Sequence, residues 1–273
     1  MTAGDRDLFV GAAAHVDARL TAATRIEEPF PHVRVDRLMP DDLYERLAGS
    51  WPADEVFWSE RPEQRLDLVP KPPGLRPADS RADGYDRLPP SVREVWDFFV
   101  LEINRRVIGP HLERLFAAEI GARVAMLADS QRQGIELPPY LQPPFRPQMN
   151  VGRLMGRGYG YRLRPHVDAL AYLVTALHYF PRGDDEAGAL GTTLYKAERE
   201  LNPADLLARG KTAYFDDAGI TVEPVAQIPF VGNMLLAFAN TGRSAHGMRI
   251  TTKGVWRRAY QSHLSLKGDH HHL

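Results

Sequence analysis

The 273-residue sequence predicts an α+β protein, with helices first and antiparallel strands after them. Three observations predict it. Apolar residues recur at helical spacing through much of the first half. Short β-prone runs, separated by Gly, Pro, Asp and Asn turns, fill the second half from about residue 148. The composition, 44% hydrophobic and 25% charged, is that of a chain that folds around a core in water.

Taken in order, Leu8, Phe9, Ala12, Ala13, Val16 and Leu20 lie mostly at helical spacing between Asp7 and Ala23, so an amphipathic helix is expected there. Residues 29–35 read as an extended strand. Pro40, Asp41 and Asp42 suit the first turn of a helix that runs to about Leu47 and stops near Gly49. Residues 51–90, rich in Pro, Arg and Asp and without periodicity, read as a long ordered surface segment. From Ser91 to about Ile120, Val92, Val95, Trp96, Phe99, Leu101 and Ile103 supply an apolar side, and Gly109-Pro110 is expected to split this stretch into two helices. Residues 134–147 form a second Pro-rich connector. The β-like runs at 148–154, 171–180, 221–224, 233–239 and 257–266 fit an antiparallel β-sandwich or jelly roll. The expected organisation is one domain over 1–273, with 1–147 as helical and loop support and 148–266 as the core.

A formal net charge of −1 gives no global field towards nucleic acid or an anionic membrane, so neither is an expected partner. With no cysteine there is no disulfide, thiolate nucleophile, zinc–cysteine site or iron–sulfur cluster. Residues 1–20 mix Asp, Arg and His among the apolar positions, unlike a signal peptide or membrane span, and a cytoplasmic location is expected.

The chemistry concentrates in His166-Val-Asp168, followed about eighty residues later by His246 and then by Arg257-Arg258. On a strand, positions i and i+2 share a face, so His166 and Asp168 can reach one metal. His246 follows the apolar run Met234-Leu235-Leu236-Ala237-Phe238, a good position from which to project into a barrel mouth. Two imidazoles and one carboxylate can fill one face of an Fe(II) ion and leave the opposite positions for a co-substrate and O2. Zinc accepts the same donors, although a helical His-Glu-x-x-His is absent. His32, His111 and His178 read as surface or capping residues.

These segments resemble the Fe(II)/2-oxoglutarate-dependent dioxygenases, in particular the prolyl-4-hydroxylase-like branch. Arg164-Pro165-His166-Val167-Asp168 and the run from Tyr172 to Phe180 are similar to that family's first metal strand and its successor. Gly232 to His246 resembles its second metal strand, and Thr251 to Tyr260 its closing strand. Pro29-Phe30-Pro31-His32 with the following helix start is similar to bacterial members. The resemblance covers about residues 148–266 and implies a double-stranded β-helix, or jelly roll, with the site at its open end.

The resemblance implies that His166, Asp168 and His246 ligate Fe(II), that 2-oxoglutarate chelates the same ion, and that O2 is consumed with release of succinate and CO2. The distal carboxylate of 2-oxoglutarate needs a cation. Arg257, eleven positions beyond His246, is favoured over Arg258, which faces the other way on a regular strand. Tyr179 is a second candidate contact for that carboxylate, or else a core tyrosine. Residues 188–195 resemble a Gly-rich strand that packs near the co-substrate, and Arg153 is a candidate contact for a substrate anion. Because Asp168 supplies a carboxylate where halide-transferring relatives have a small residue, hydroxylation or another oxidation such as desaturation is implied. Two alternatives stay open: a cupin-like metal-binding protein, and a non-catalytic relative of the same fold. Small molecules, amino acids and peptidyl groups are all admissible substrates. The His-rich tail 268–273 is given no function.

Overall fold

The computed structural model describes residues 3–75, 79–138, 141, 143–182, 190–209 and 212–266. The first half contains α1 (Ala3–Thr21), β1 (Arg25–Ile26), β2 (His32–Asp36), α2 (Asp41–Gly49), β3 (Arg65–Leu68), α3 (Pro90–Phe98), a π-helical stretch (Phe99–Ile108), α4 (Gly109–Leu115) and α5 (Ala117–Arg132). The second half contains β4 (Gln148–Met149), β5 (Arg153–Arg157), β6 (Arg162–Val167), β7 (Tyr172–Tyr179), β8 (Thr192–Ala197), α6 (Pro203–Arg209), β9 (Ala213–Tyr214), β10 (Val222–Ile228), β11 (Met234–Ala239), β12 (His246–Arg249) and β13 (Arg257–Ser265). The α+β class expected from the pattern is present, as two antiparallel sheets. The larger has the order β1-β2-β11-β7-β13-β5-β3, with β4 also on β13, and the smaller is β10-β8-β12-β6-β9.

Strand alternation divides the larger sheet into two working faces. Val174 and Ala176 of β7 and Tyr260 and Leu264 of β13 turn outward into a core shared with the helices. Leu177 and Tyr179 of β7, Ala259 of β13 and Met155 of β5 turn inward and meet Leu194, Ile228 and Met248 of the smaller sheet. Because β7 and β11 are covered on both sides, they read as nearly continuous apolar runs rather than as alternating ones, whereas β13, equally buried, mixes in Arg, Gln, Ser and His.

The helical layer departs from the expectation at Gly109-Pro110. The break does not fall there. The chain stays helical from Pro90 to Leu115 by widening to a π-helix over Phe99–Ile108, with the Gly109 N–H donating to Asn104 O five residues back. Pro110 lacks an N–H and would crowd the carbonyl four residues earlier, so the wider turn accommodates it. The helix ends instead at Phe116, where φ is −113° and ψ is 25°. Gly109 permits this course, because a Cβ there would lie 3.0 Å from the Met149 Cβ. The layer docks through aromatic side chains. Trp96 stacks on Tyr260 and Phe99 meets it edge-on, with ring centroids 6.1 and 5.1 Å apart. Buried Asn104 donates to Tyr260 Oη at 3.1 Å and accepts from Ser262 Oγ at 2.9 Å.

Residues 51–90 also differ from a surface segment. They place β3 on the edge of the larger sheet and carry a fully buried carboxylate, Asp67. Its Oδ1 accepts from Arg157 Nη2 at 2.8 Å and its Oδ2 from Arg65 Nε at 2.5 Å. Burial opposes the Asp67 charge, yet Arg157, Arg153 and Arg65 together hold its carboxyl well below the usual carboxylate range. The signal was weak because β3 spans only four residues and two of them are charged. Smaller differences are β4 and β5 in place of one run over 148–154, and β6, β8, β9, β12 and α6, which no periodicity marked.

Asp67→Asn removes the partner of a buried guanidinium and is expected to destabilise the fold by about 3–5 kcal/mol, read from urea denaturation at neutral pH. Its folded-state carboxyl titrates below its unfolded value of about 3.9, so the wild-type advantage is complete above that pH and shrinks as pH falls below it. An equal difference between wild type and variant down to pH 2 would contradict this.

Candidate metal centre

β6 and β12 are neighbours in the smaller sheet, and their register sets His246 opposite His166. The imidazole centroids are 4.2 Å apart. Asp168 lies just past the end of β6, two residues beyond His166. Its Oδ1 is 3.2 Å from His166 Nε2, and its Oδ2 is 3.7 Å from His246 Nε2. One donor atom from each of the three residues falls within 4.8 Å of the other two, and all three residues are buried. Donors bound at about 2.1 Å on one face of an ion sit about 3 Å apart, so only a small contraction separates this arrangement from a ligand set.

The outer nitrogens fix the tautomers. His166 Nδ1 donates to Arg164 O at 2.9 Å and His246 Nδ1 to Ser244 O at 3.0 Å, which leaves both Nε2 lone pairs facing the centre. Burial, with His166 and Arg257 adding to it, pushes the His246 imidazole down to about 4, the neutral form that a metal requires. Burial alone would push the Asp168 carboxyl up, but His246, His166 and His263 outweigh it and hold the group well below the usual carboxylate range. Thr175 Oγ1 donates to Asp168 Oδ2 at 2.5 Å, and Asn240 Nδ2 donates to Thr175 Oγ1 at 2.8 Å. Behind them Arg123, on α5, donates to Leu170 O at 3.0 Å and to Asn240 O at 2.5 Å. The helical layer is therefore hydrogen-bonded to the shell around the three donors.

The donors open into a cavity of about 280 Å³ between the sheets. Arg257 lines it and is buried, while Arg258 points the other way, its guanidinium over the Trp51 ring at 5.5 Å. Arg257 Nη2 donates to Thr192 Oγ1 at 3.0 Å, its Nε is buried without a partner, and it makes no ion pair among the described residues. Tyr179 lies beneath it, with the guanidinium 4.8 Å above the ring. The Tyr179 hydroxyl is 2.6 Å from the same Thr192 Oγ1. An unneutralised buried cation is costly, and a carboxylate entering the cavity would satisfy it. Arg153 also lines the cavity, together with Arg65, Arg81 and Arg157.

Several residues at the site escaped the sequence reading. His263 on β13 stacks on Tyr172 with centroids 3.7 Å apart, and its Nε2 lies 4.0 Å from Asp168 Oδ2. Thr175, Asn240, Thr192 and Gln261 were likewise not singled out as contacts. A usable signal existed: Arg257, Gln261 and His263 are an even number of positions apart on one strand and so share its inner face. Of the histidines read as surface or capping, His111 bridges Asp17 of α1 and Arg114 at 2.7 and 2.8 Å. His32 and His178 are instead buried. His178 faces outward from β7 against Phe99 and Tyr260, both ring nitrogens lack partners, and burial pushes it down to about 3. In the Gly-rich segment, residues 188 and 189 lie outside the described residues, as does the tail 268–273.

Thr175→Val keeps the shape but strips Asp168 of its donor. It is expected to weaken Mn(II) binding about 10- to 100-fold by calorimetry while leaving the far-UV spectrum intact. Unchanged affinity would show that this hydroxyl does not orient the carboxylate.

No protein-family model and no curated protein sequence matches the chain. Among solved structures it is similar to a Pseudomonas putida prolyl-4-hydroxylase, at 13% identity over 93% of this chain and 98% of that one, with a TM-score of 0.37. It is similar as well to an oxidoreductase of the 2OG-Fe(II) oxygenase family from Burkholderia pseudomallei, at 9% identity over 94% and 91% of the two chains, TM-score 0.45. A third is the non-heme alpha ketoglutarate dependent carbocyclase SnoK from nogalamycin biosynthesis, at 11% identity over 92% and 84%, TM-score 0.44. At identities this low, the chemistry has to be derived from the residues of the site itself.

Proposed function

We propose that this chain is an Fe(II)- and 2-oxoglutarate-dependent oxygenase of the prolyl-4-hydroxylase-like kind, hydroxylating a small molecule or an amino-acid or peptidyl group. In this proposal residues 148–266 form a jelly-roll core and 1–147 its helical support, acting as one catalytic unit. Support comes from one observation: a buried His-Asp-His donor set and an unneutralised guanidinium line the same cavity.

His166, Asp168 and His246 would hold the ferrous ion, and Arg257 would take the distal carboxylate of 2-oxoglutarate. Thr192, already hydrogen-bonded to both Arg257 and Tyr179, would fix the angle of that guanidinium. When bound, the ion and its co-substrate supply the O2-dependent oxidising power, with succinate and CO2 released. The protein's own part is positioning and exclusion of water. Met155, Leu177 and Met248 give the cavity apolar wall, while Tyr161 and Tyr214 line it on another side. The Nδ1–H bonds of His166 and His246 to backbone carbonyls turn both Nε2 atoms towards the centre.

Two outcomes test this function. The protein with Fe(II) and O2 is expected to convert 2-oxoglutarate to succinate, and His166→Ala or His246→Ala to abolish both that conversion and Mn(II) binding by anaerobic calorimetry. Full Mn(II) affinity in either variant would remove the metal centre. Arg257→Ala is expected to raise the 2-oxoglutarate requirement at least about tenfold, the loss of a charge-assisted bidentate pair, against less than about twofold for Arg258→Ala. The reverse ranking would assign the co-substrate to the wrong guanidinium.

A further inference from the structure

The cavity carries more positive charge than the oxygenase function accounts for, and one of its guanidiniums has no anionic partner among the described residues. Arg153, on the inner face of β5, is half-buried on the cavity wall. Its Nε and Nη2 both donate to Gln261 Oε1, at 3.2 and 2.8 Å, which pins the guanidinium with a neutral acceptor. Among the described residues Nη1 has no partner and the group makes no ion pair. The nearby carboxylates are already taken. Asp67 gives one oxygen to Arg157 and the other to Arg65. Asp79 gives both to Arg81, at 2.8 and 2.5 Å. Burial, opposed by Asp67 and Tyr172 and reinforced by Arg157 and Arg81, pushes the Arg153 guanidinium below its ordinary value.

The wider charge balance points the same way. Five guanidiniums line the cavity: Arg65, Arg81, Arg153, Arg157 and Arg257. Three carboxylates answer them among the described residues: Asp67, Asp79 and Asp168. A divalent ion and doubly charged 2-oxoglutarate cancel each other, so five against three leaves two positive charges for whatever else enters. A desolvated site with that excess favours an anion over a neutral ligand. The edge that Arg153 leaves open is its Nη1 side, a flat pair of donors matched to a planar carboxylate.

We propose that the prime substrate carries a carboxylate, which docks on the open Nη1 edge of Arg153 while Gln261 holds the guanidinium in place and Arg81 flanks it. The assignment rests on the oxygenase function above, because Arg257 is taken to be occupied by the co-substrate. A small organic acid, or an amino acid with an acidic side chain, fits; an internal peptide residue or a neutral small molecule leaves the excess charge unanswered.

The test uses acetate as probe and acetamide as its neutral isostere. Both are titrated at constant ionic strength into protein loaded with Mn(II) and 2-oxoglutarate under argon, with the melting temperature as readout. Acetate is expected to raise Tm and acetamide not to. Arg153→Gln is expected to weaken the acetate response about tenfold or more. Gln261→Glu, which supplies the carboxylate internally, is expected to raise Tm without acetate and to abolish the response. An undiminished acetate response in Arg153→Gln, or acetamide matching acetate, would overturn the proposal. So would inorganic phosphate, but not acetate, giving the Arg153-dependent rise. Failure of the underlying function is visible separately, as no rise in Tm on adding Mn(II) and 2-oxoglutarate. The acetate response of the unloaded protein and its Arg153→Gln variant then still decides whether Arg153 binds a carboxylate.

Discussion

The pairing of β6 with β12 is the constraint on which the site depends. It sets His246 across from His166, and two residues later the same chain delivers Asp168. A slip of one residue in that ladder would turn one imidazole to the opposite face and scatter the donors. The register is not held by the two strands alone. β12 also pairs with β8, where His246 lies opposite Leu194, so the strand carrying the distal histidine is fixed on both edges. Phe238, from the facing sheet, packs 4.5 Å from the His246 ring and closes the remaining direction.

The larger sheet serves two solvents, in effect. Its outer face is dry and aromatic, and even its one histidine, His178, is kept uncharged by burial. Its inner face mixes apolar side chains with guanidiniums and the Thr175 hydroxyl. Strand alternation lets adjacent residues of β13 serve these opposite needs: Arg257 turns to the cavity and Arg258 to the Trp51 ring. The apolar lining matters electrically as well as sterically. It lowers the local dielectric, so each uncompensated cation in the cavity weighs more than it would in water.

What the sequence disclosed followed from how local each feature is. The α+β class and the strands β7 and β11 were legible, because both are largely apolar runs. His166, Asp168 and His246 stood out because two of them are neighbours on one strand and the third follows an apolar strand. The misses came from tertiary context. Pro110 looked like a helix breaker, but the π-helical turn before it absorbs the clash. Residues 51–90 lacked periodicity, yet Asp67 is bound into the sheet by two arginines distant or charged enough to hide the strand. His263 lies beside Asp168, but although it shares a strand face with Arg257, only the strand order brings that face up to the donors.

Arg123 carries a consequence for how such a chain can change. Its guanidinium leaves the helical layer, crosses into the sheet and grips two carbonyls, one beside Asp168 and one on the residue that steadies Thr175. The two halves are thus not interchangeable parts. Trading the helical half for another, as modular recombination would, breaks the grip on the donors even if every strand survives. Diversification of this architecture is steered towards substitutions in the cavity wall and away from shuffling of its segments.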